Sequence, residues 1–112
     1  MQKKSLSSKK CLPCEGLTFP LPSERCNELL KKLKGWKIVE GNKIEKLIVL
    51  KNFVQSLSLL NKIGKIAEAE NHHPDMFLFS YKNVRITLST HSIGGLSEND
   101  FIVAAKIDKL LD

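Results

Sequence analysis

The chain has 112 residues, of which 42% are hydrophobic, and it carries a net charge of +6 at neutral pH. This length accommodates one domain with one core and leaves no room for a second. The positive charge does not indicate nucleic-acid binding, because it is confined to residues 1–67, with 14 Lys or Arg against 5 acids, whereas residues 68–112 carry 4 against 7. No stretch approaches the ~20 apolar residues of a membrane span, so we expect no membrane association.

Residues 1–21 have the composition of a flexible basic leader, and we expect a single folded domain over residues 22–112. The leader lacks the apolar segment of a secretory signal, which favours a cytoplasmic, reducing location. Cys11 and Cys14 have CxxC spacing, as in half of a zinc site or a redox pair. We favour a reduced pair on a mobile segment, because the motif follows a lysine-rich stretch and its only other ligands would be Cys26 and distant histidines.

The patterns in chain order predict a helix at Glu24–Lys34, strands at Trp36–Glu40 and Ile44–Leu50, a long helix at Phe53–Glu70, strands at Met76–Tyr81 and Val84–Thr90, and a last helix that begins with a capping-box-like Ser97–Asp100. Ser23 and Asn52 are predicted N-caps, and Gly41-Asn42 and Lys82-Asn83 predicted tight turns. Pro74 disfavours helical geometry at His73 and so ends the long helix. The order α-β-β-α-β-β-α predicts an α+β fold, with three helices packed on one face of a four-stranded antiparallel sheet.

Two hydrophobic patterns assign faces to these elements. The long helix is predicted to bury a stripe of Phe53, Leu57, Leu60, Ile63 or Gly64, and Ala67. The last strand alternates, with Val84, Ile86, Leu88 and Thr90 on one face and Arg85, Thr87, Ser89 and His91 on the other.

The histidines are the residues most suited to chemistry. His72 and His73 lie at the corner where the long helix ends, and His91 ends the last strand on its polar face. Glu68 precedes His72 by four residues, within reach as an orienting or proton-accepting partner.

Three interpretations of these histidines remain open on residue type alone. In the first, they are exposed residues without a chemical role, and Asp100 acts only as a helix cap. In the second, they converge on a metal, although the i, i+4 spacing of helical zinc motifs is absent. In the third, they perform metal-free acid/base chemistry, for which an unperturbed pKa of ~6.5 suits histidine.

A combination of motifs over about residues 22–111 narrows these interpretations. It comprises Gly35-Trp36, residues 68–74 (EAENHHP), Tyr81, residues 86–91 (ITLSTH) with nine positions between Tyr81 and His91, residues 95–98 (GLSE) and Asp100. In this combination the chain resembles the pterin-4a-carbinolamine dehydratase family. Two positions depart from the family. Asn71 stands where an acid is frequent, and Met76 stands where an aromatic residue is common. A methionine in place of an aromatic ring would make one wall of the implied pterin-binding cleft less rigid.

The resemblance implies a lyase that dehydrates 4a-hydroxytetrahydrobiopterin to quinonoid dihydrobiopterin without a metal or organic cofactor, as a homodimer or homotetramer. It implies that His72 and His91 transfer protons, that His73 holds the substrate and that Glu68 is the acidic position of the site. The implied substrate-binding residues are Asn71, His72, His73, Ser89, Thr90 and His91. Some members of this family act as dimerisation partners of transcription factors, so a non-catalytic binding module is the alternative, although the three histidines favour catalysis.

Overall fold

The computed structural model describes residues 5–11 and 19–112. Its helices and strands are α1 (Ser23–Leu30), β1 (Lys37–Val39), β2 (Lys43–Val49), α2 (Phe53–Glu70), β3 (Asp75–Phe79), β4 (Asn83–Leu88) and α3 (Glu98–Leu111). The strands form one antiparallel sheet in the order β1-β2-β4-β3. The predicted α+β fold and its element order are therefore confirmed. None of the described helices is long and apolar enough to cross a membrane.

The core lies between the inner face of the sheet and the helices. Val84, Ile86 and Leu88 of β4 are fully buried, as the predicted alternation requires, and they pack with Phe101 and Ile107 of α3. Burying each large apolar side chain contributes about 1.5–3 kcal/mol. The loop between β4 and α3 carries His91, and the corner between α2 and β3 carries His72 and His73.

The predicted buried stripe of α2 is wrong in its first half. Phe53 and Leu57 are 48% and 43% exposed, whereas the helix buries Ser56, Leu59, Ile63 and Ala67. Both stripes have helical spacing, so periodicity alone does not decide which one faces the sheet. Ser56 can be buried because its hydroxyl donates to a backbone carbonyl, with Asn52 O at 3.0 Å and Tyr81 O at 2.9 Å.

The first helix differs from prediction at both ends. Ser23 is its first helical residue and Pro22 holds the N-cap position, because the Pro22 carbonyl accepts the first helical hydrogen bond, from Cys26 N at 3.0 Å. The helix ends at Leu30, where bonds from Lys32 N and Leu33 N to the third residue before each tighten the chain before Gly35.

The connection of the second hairpin begins two residues earlier than predicted and has three residues instead of two. Asn83 is already paired with Phe79, so Ser80, Tyr81 and Lys82 form the connection instead of Lys82-Asn83. Ser80 and Tyr81 have φ of 48° and 55°. These left-handed conformations give the connection the twist of the flanking strands.

Part of the predicted leader lies against α3 and the end of α2. Leu6 is buried in the core, Lys9 pairs with Glu98 at 2.7 Å, and Cys11 N donates to Glu70 Oε1 at 2.8 Å. The flexibility of residues 1–21 as a whole stays a prediction. Cys14 lies outside the described residues.

Asp108 joins α3 to the first hairpin through three donors. Its carboxylate accepts from Trp36 Nε1 at 2.8 Å, Lys46 Nζ at 2.8 Å and Lys34 N at 2.9 Å. We expect Asp108→Ala to lower the free energy of unfolding by about 3–5 kcal/mol, because a buried indole N–H and an ammonium lose their acceptor. Urea denaturation measures the change.

Asp112→Ala is the matched control for this prediction. Asp112 is on the same helix end and pairs with Lys34 at 2.9 Å, but both side chains are exposed. An exposed ion pair contributes little to stability, so the urea midpoint should stay where it is in the parent protein. Equal shifts in the two variants would show that the Asp108 contacts do not stabilise the fold.

Candidate active site

The corner after α2 turns His72 away from the helix axis. Asn71 adopts the left-handed conformation (φ 51°), which asparagine tolerates better than most residues. The bonds from His72 N to Ala67 O at 3.1 Å and from Asn71 N to Glu68 O at 3.3 Å close the helix end. The chain then reverses toward the core, and the His72 ring is buried there.

The His72 ring is bonded to a buried carboxylate. Its Nε2 lies 2.6 Å from Oδ1 of Asp100, the third residue of α3, and Asp100 is 0% exposed. A carboxylate only accepts hydrogen bonds, so Nε2 carries the proton. In the neutral ring Nδ1 is then the basic nitrogen, available to a substrate.

Glu68 pairs with His73, not with His72. Its Oε2 contacts Nε2 of His73, and both side chains are largely exposed. The i, i+4 argument for a Glu68–His72 contact was wrong because the helix ends at Glu70 and the left-handed Asn71 changes the direction of the chain. Glu68 therefore orients the His73 ring.

His91 lies in a tight loop and not on a strand. The strand β4 ends at Leu88, and His91–Ile93 form a 3₁₀ turn closed by Gly94 at φ 65°, so its predicted place at a strand end was wrong. The backbones of Thr90 and Gly95 pair across the loop, with Thr90 N donating to Gly95 O at 2.8 Å. A Cβ on Gly95 would lie 2.8 Å from Pro20, so only glycine lets the chain before α1 brace this loop.

The two histidine segments meet in one pocket of about 210 Å³. Its lining residues are Asn71, His72, His73, Ser89, Thr90, His91 and Ser92. All six predicted substrate-binding residues are thus brought together. A larger hollow of about 480 Å³ beside residues 5–7 is lined by lysines, aspartates and small residues without a histidine, so it offers no comparable acid/base groups.

Some residues that were predicted for the site, or that contribute to the family resemblance, lie outside this pocket. Tyr81 lies in the connection between β3 and β4, beyond the Phe79–Asn83 pair. That pair is itself four residue intervals, or about 13 Å along the strand, from the Asp75–Thr87 pair beside the histidine corner. Met76 and Glu68 are not lining residues either.

Two features of the site were missed by sequence reasoning. Ser92 lines the pocket and has no motif that marks it. Asp100 was expected only as a cap or as a position of the resemblance; it does form a capping box with Ser97, and it also holds His72. The i+3 spacing from Ser97 identifies the cap, and no local signal identifies the contact to His72.

The cysteine of the leader that the structure describes is not poised for reaction. Burial, reinforced by the adjacent Glu70 carboxylate, raises the pKa of the Cys11 thiol to about 12. The thiol stays protonated at neutral pH, whereas nucleophilic attack and metal binding both need the thiolate. Within residues 5–11 and 19–112, no three His, Cys, Asp or Glu side chains converge in a metal-binding arrangement.

The pocket is therefore lined by imidazole rings in different environments, one buried and hydrogen-bonded and another exposed. His72 presents a basic nitrogen with a buried carboxylate behind the ring. His91 is exposed, and no described residue bonds to its ring. Such a pair can accept a proton at one point of a ligand and donate one at another.

Comparison with known proteins gives a consistent result. The family description "Pterin 4 alpha carbinolamine dehydratase" matches residues 19–110. A protein of Alkaliphilus metalliredigens, provisionally named a pterin-4-alpha-carbinolamine dehydratase, is 47% identical over 106 residues, which cover 94% of this chain and 95% of that protein. Pterin-4-alpha-carbinolamine dehydratase 2, mitochondrial, of Arabidopsis thaliana is 42% identical over 109 residues, which cover 94% of this chain and 58% of that protein.

A solved structure agrees with these sequence relationships. The crystal structure of a transcriptional coactivator/pterin dehydratase from Brucella melitensis matches with a TM-score of 0.77 at 32% identity, covering 83% of this chain and 99% of that one. The match over most of the folded domain includes both histidine segments. The chain belongs to the pterin-4a-carbinolamine dehydratase family.

Proposed function

We propose that this protein dehydrates 4a-hydroxytetrahydrobiopterin to quinonoid dihydrobiopterin by histidine acid/base catalysis. The observation that carries the proposal is the convergence of His72, His73 and His91 on one pocket, with His72 bonded to the buried Asp100. The cavity of about 210 Å³ is below the usual range for drug-sized ligands and suits a bicyclic ring.

The reaction removes a hydroxyl from C4a and a proton from N5. The bare Nδ1 of His72 accepts the N5 proton, and the N5–H electron pair forms the N5=C4a double bond. A protonated His91 delivers its proton to the departing hydroxyl, which leaves as water when the C4a–O bond breaks. Exchange with solvent then returns His72 to the neutral form and His91 to the protonated form, so atoms and charges balance.

His73 and Glu68 act on binding in this scheme. Their contact fixes the exposed His73 ring at the pocket edge, where its second nitrogen can hydrogen-bond to the substrate. Asn71, Ser89 and Thr90 complete the predicted polar wall.

The deciding experiment is a stopped-flow assay in which 4a-hydroxytetrahydropterin is generated in situ and its decay is followed with and without the purified protein. Catalysis should accelerate the decay in proportion to protein concentration. No acceleration at micromolar protein would refute the proposed function.

We place this activity in the cytoplasm, in the recycling of tetrahydrobiopterin for aromatic amino-acid hydroxylases. Support comes from Cys11 and Cys26, which are both free thiols, as is usual in a reducing compartment.

We also propose that copies of the chain associate through the outer face of α2. This face exposes Phe53, Val54 at 74% and Leu57, beside Gly64, where a Cβ would meet nothing within 4 Å. Contiguous apolar side chains next to a glycine notch suit close packing of a second helix. The same surface supports the alternative role as a helix-binding module, and the Brucella relative is named a transcriptional coactivator as well as a dehydratase.

Leu57→Glu tests this association. A carboxylate at the centre of the apolar face should lower the molar mass in light scattering toward the 12.6 kDa of one chain. Gln55→Glu is the control, because it adds the same charge at an exposed position on the opposite side of α2 from Leu57. A parent protein that is already monomeric, or equal effects of the two variants, would contradict the proposal.

A further inference from the structure

Two buried hydroxyls stand behind the Asp100 carboxylate. Thr90, 1% exposed, donates from Oγ1 to Asp100 Oδ2 at 2.9 Å. Its oxygen also lies 2.8 Å from Oγ of the buried Ser97. Because the Thr90 proton is used on the carboxylate, the Ser97 hydroxyl must donate to Thr90. The Ser97 oxygen in turn accepts from the Asp100 backbone in the capping box, so the bonds form a closed ring.

In this ring of hydrogen bonds the two carboxylate oxygens of Asp100 have different partners. Oδ2 accepts from Thr90 Oγ1 and from Ser97 N at 3.0 Å, which leaves Oδ1 for His72. Within the capping box, the Asp100 carboxylate needs only the backbone donor of Ser97. The Thr90 hydroxyl therefore adds a constraint that capping does not require, and it prevents the carboxylate from rotating away from the imidazole.

Thr90 also connects the two histidine segments. It directly precedes His91, and its backbone pairs with Gly95 to close the loop that carries this residue. One residue thus fixes the loop of His91 through its backbone and the partner of His72 through its side chain.

We propose that Thr90 and Ser97 are positioning residues, whose hydroxyls hold Asp100 so that the His72 ring keeps Nε2 protonated and presents Nδ1 to the substrate. This inference deepens the proposed dehydratase function and rests on it. It also revises the role expected for Thr90, whose hydroxyl is committed to Asp100 and is not free for the pterin.

Thr90→Val is the direct test, because valine keeps the shape and removes the hydroxyl. Side-chain ¹⁵N NMR of His72 should show the Nε2–H tautomer in the parent protein and a mixture of tautomers in the variant. The kcat should fall about tenfold with KM little changed, as expected for loss of one hydrogen bond to a charged group. Thr90→Ser, which restores a hydroxyl, should return both readouts toward the parent values.

Thr87→Val is the matched control. Thr87 is the second-last residue of β4 and donates only a long bond of 3.4 Å to Glu45, so its change should alter neither readout. An unchanged His72 tautomer in Thr90→Val would overturn the inference.

Two further measurements keep the outcome decisive. If circular dichroism shows that Thr90→Val does not fold, Ser97→Gly removes the hydroxyl that bonds to Thr90 and keeps a residue that is favourable at an N-cap. It should shift His72 toward the same mixture of tautomers. The NMR readout does not depend on turnover, so an inactive parent protein with the expected tautomer response would refute the dehydratase function and leave the positioning intact.

Discussion

His72→Gln and His91→Gln are each expected to lower kcat for dehydration by roughly 10²–10⁴-fold, the usual contribution of a positioned general acid or base. Glutamine keeps a polar side chain of similar length and cannot exchange a proton near neutral pH. The buried His72 position also needs a donor toward Asp100, which the amide supplies, so the fold should survive. Stopped-flow turnover with circular dichroism on the same samples measures both effects.

His73→Gln is the comparison that separates chemistry from binding. His73 lies at the same pocket, and its Nε2 is bonded to the exposed Glu68. Its loss should raise KM more than it lowers kcat. A folded His72 or His91 variant that keeps kcat within about twofold of the parent would remove that residue from the proton-transfer pair.

The fold was predictable because its local signals agree with one another. The alternation in β4 matches the burial of Val84, Ile86 and Leu88, and Asn52 caps α2 through Gln55 N at 2.9 Å. Pro74 correctly predicted that α2 ends at the histidine corner. Signals of this kind act within a few residues, so one sequence suffices to find them.

The inward face of α2 was not predictable in the same way. Two stripes with the same spacing compete, one headed by Phe53 and one by Ser56. The buried stripe is the one whose serine finds a carbonyl on the neighbouring hairpin, a contact 25 residues away in sequence. Hydrophobicity alone favoured the wrong residues in the first half of the helix, whereas Ile63 and Ala67 were predicted correctly.

The residues that line the site could be predicted from the sequence, but the hydrogen bonds between them could not. The resemblance selected the six residues that line the pocket with Ser92. Helical spacing, and not the resemblance, paired Glu68 with His72. The left-handed Asn71 redirects the chain, so that His72 bonds to Asp100 and Glu68 to His73. Contacts between chain segments 28 residues apart depend on how α2 and α3 pack, which no local pattern encodes.

The hydrogen bonds of Asp100 make Asp100→Asn the most informative single substitution. Oδ2 of Asp100 receives two donors, from Thr90 Oγ1 and Ser97 N. The amide of an asparagine must place its oxygen there, because an NH₂ group would face two other donors. The NH₂ group then points at His72 Nε2, which can accept its hydrogen bond only after losing its own proton.

Asp100→Asn should therefore trap His72 as the Nδ1–H tautomer and remove the basic nitrogen from the pocket. We expect kcat to fall on the order of 10²–10⁴-fold, comparable to the loss of the histidine itself; a wrong imidazole tautomer has an effect of this size in serine proteases. Side-chain ¹⁵N NMR of His72 and stopped-flow turnover measure the two consequences together. Asp108→Asn is the control, because it changes another buried aspartate of α3 whose donors are Trp36, Lys46 and Lys34, and it should affect stability without altering the His72 tautomer. If Asp100→Asn keeps the Nε2–H tautomer together with parental turnover, then Asp100 is only a helix cap, and the proton-transfer scheme must place its base elsewhere.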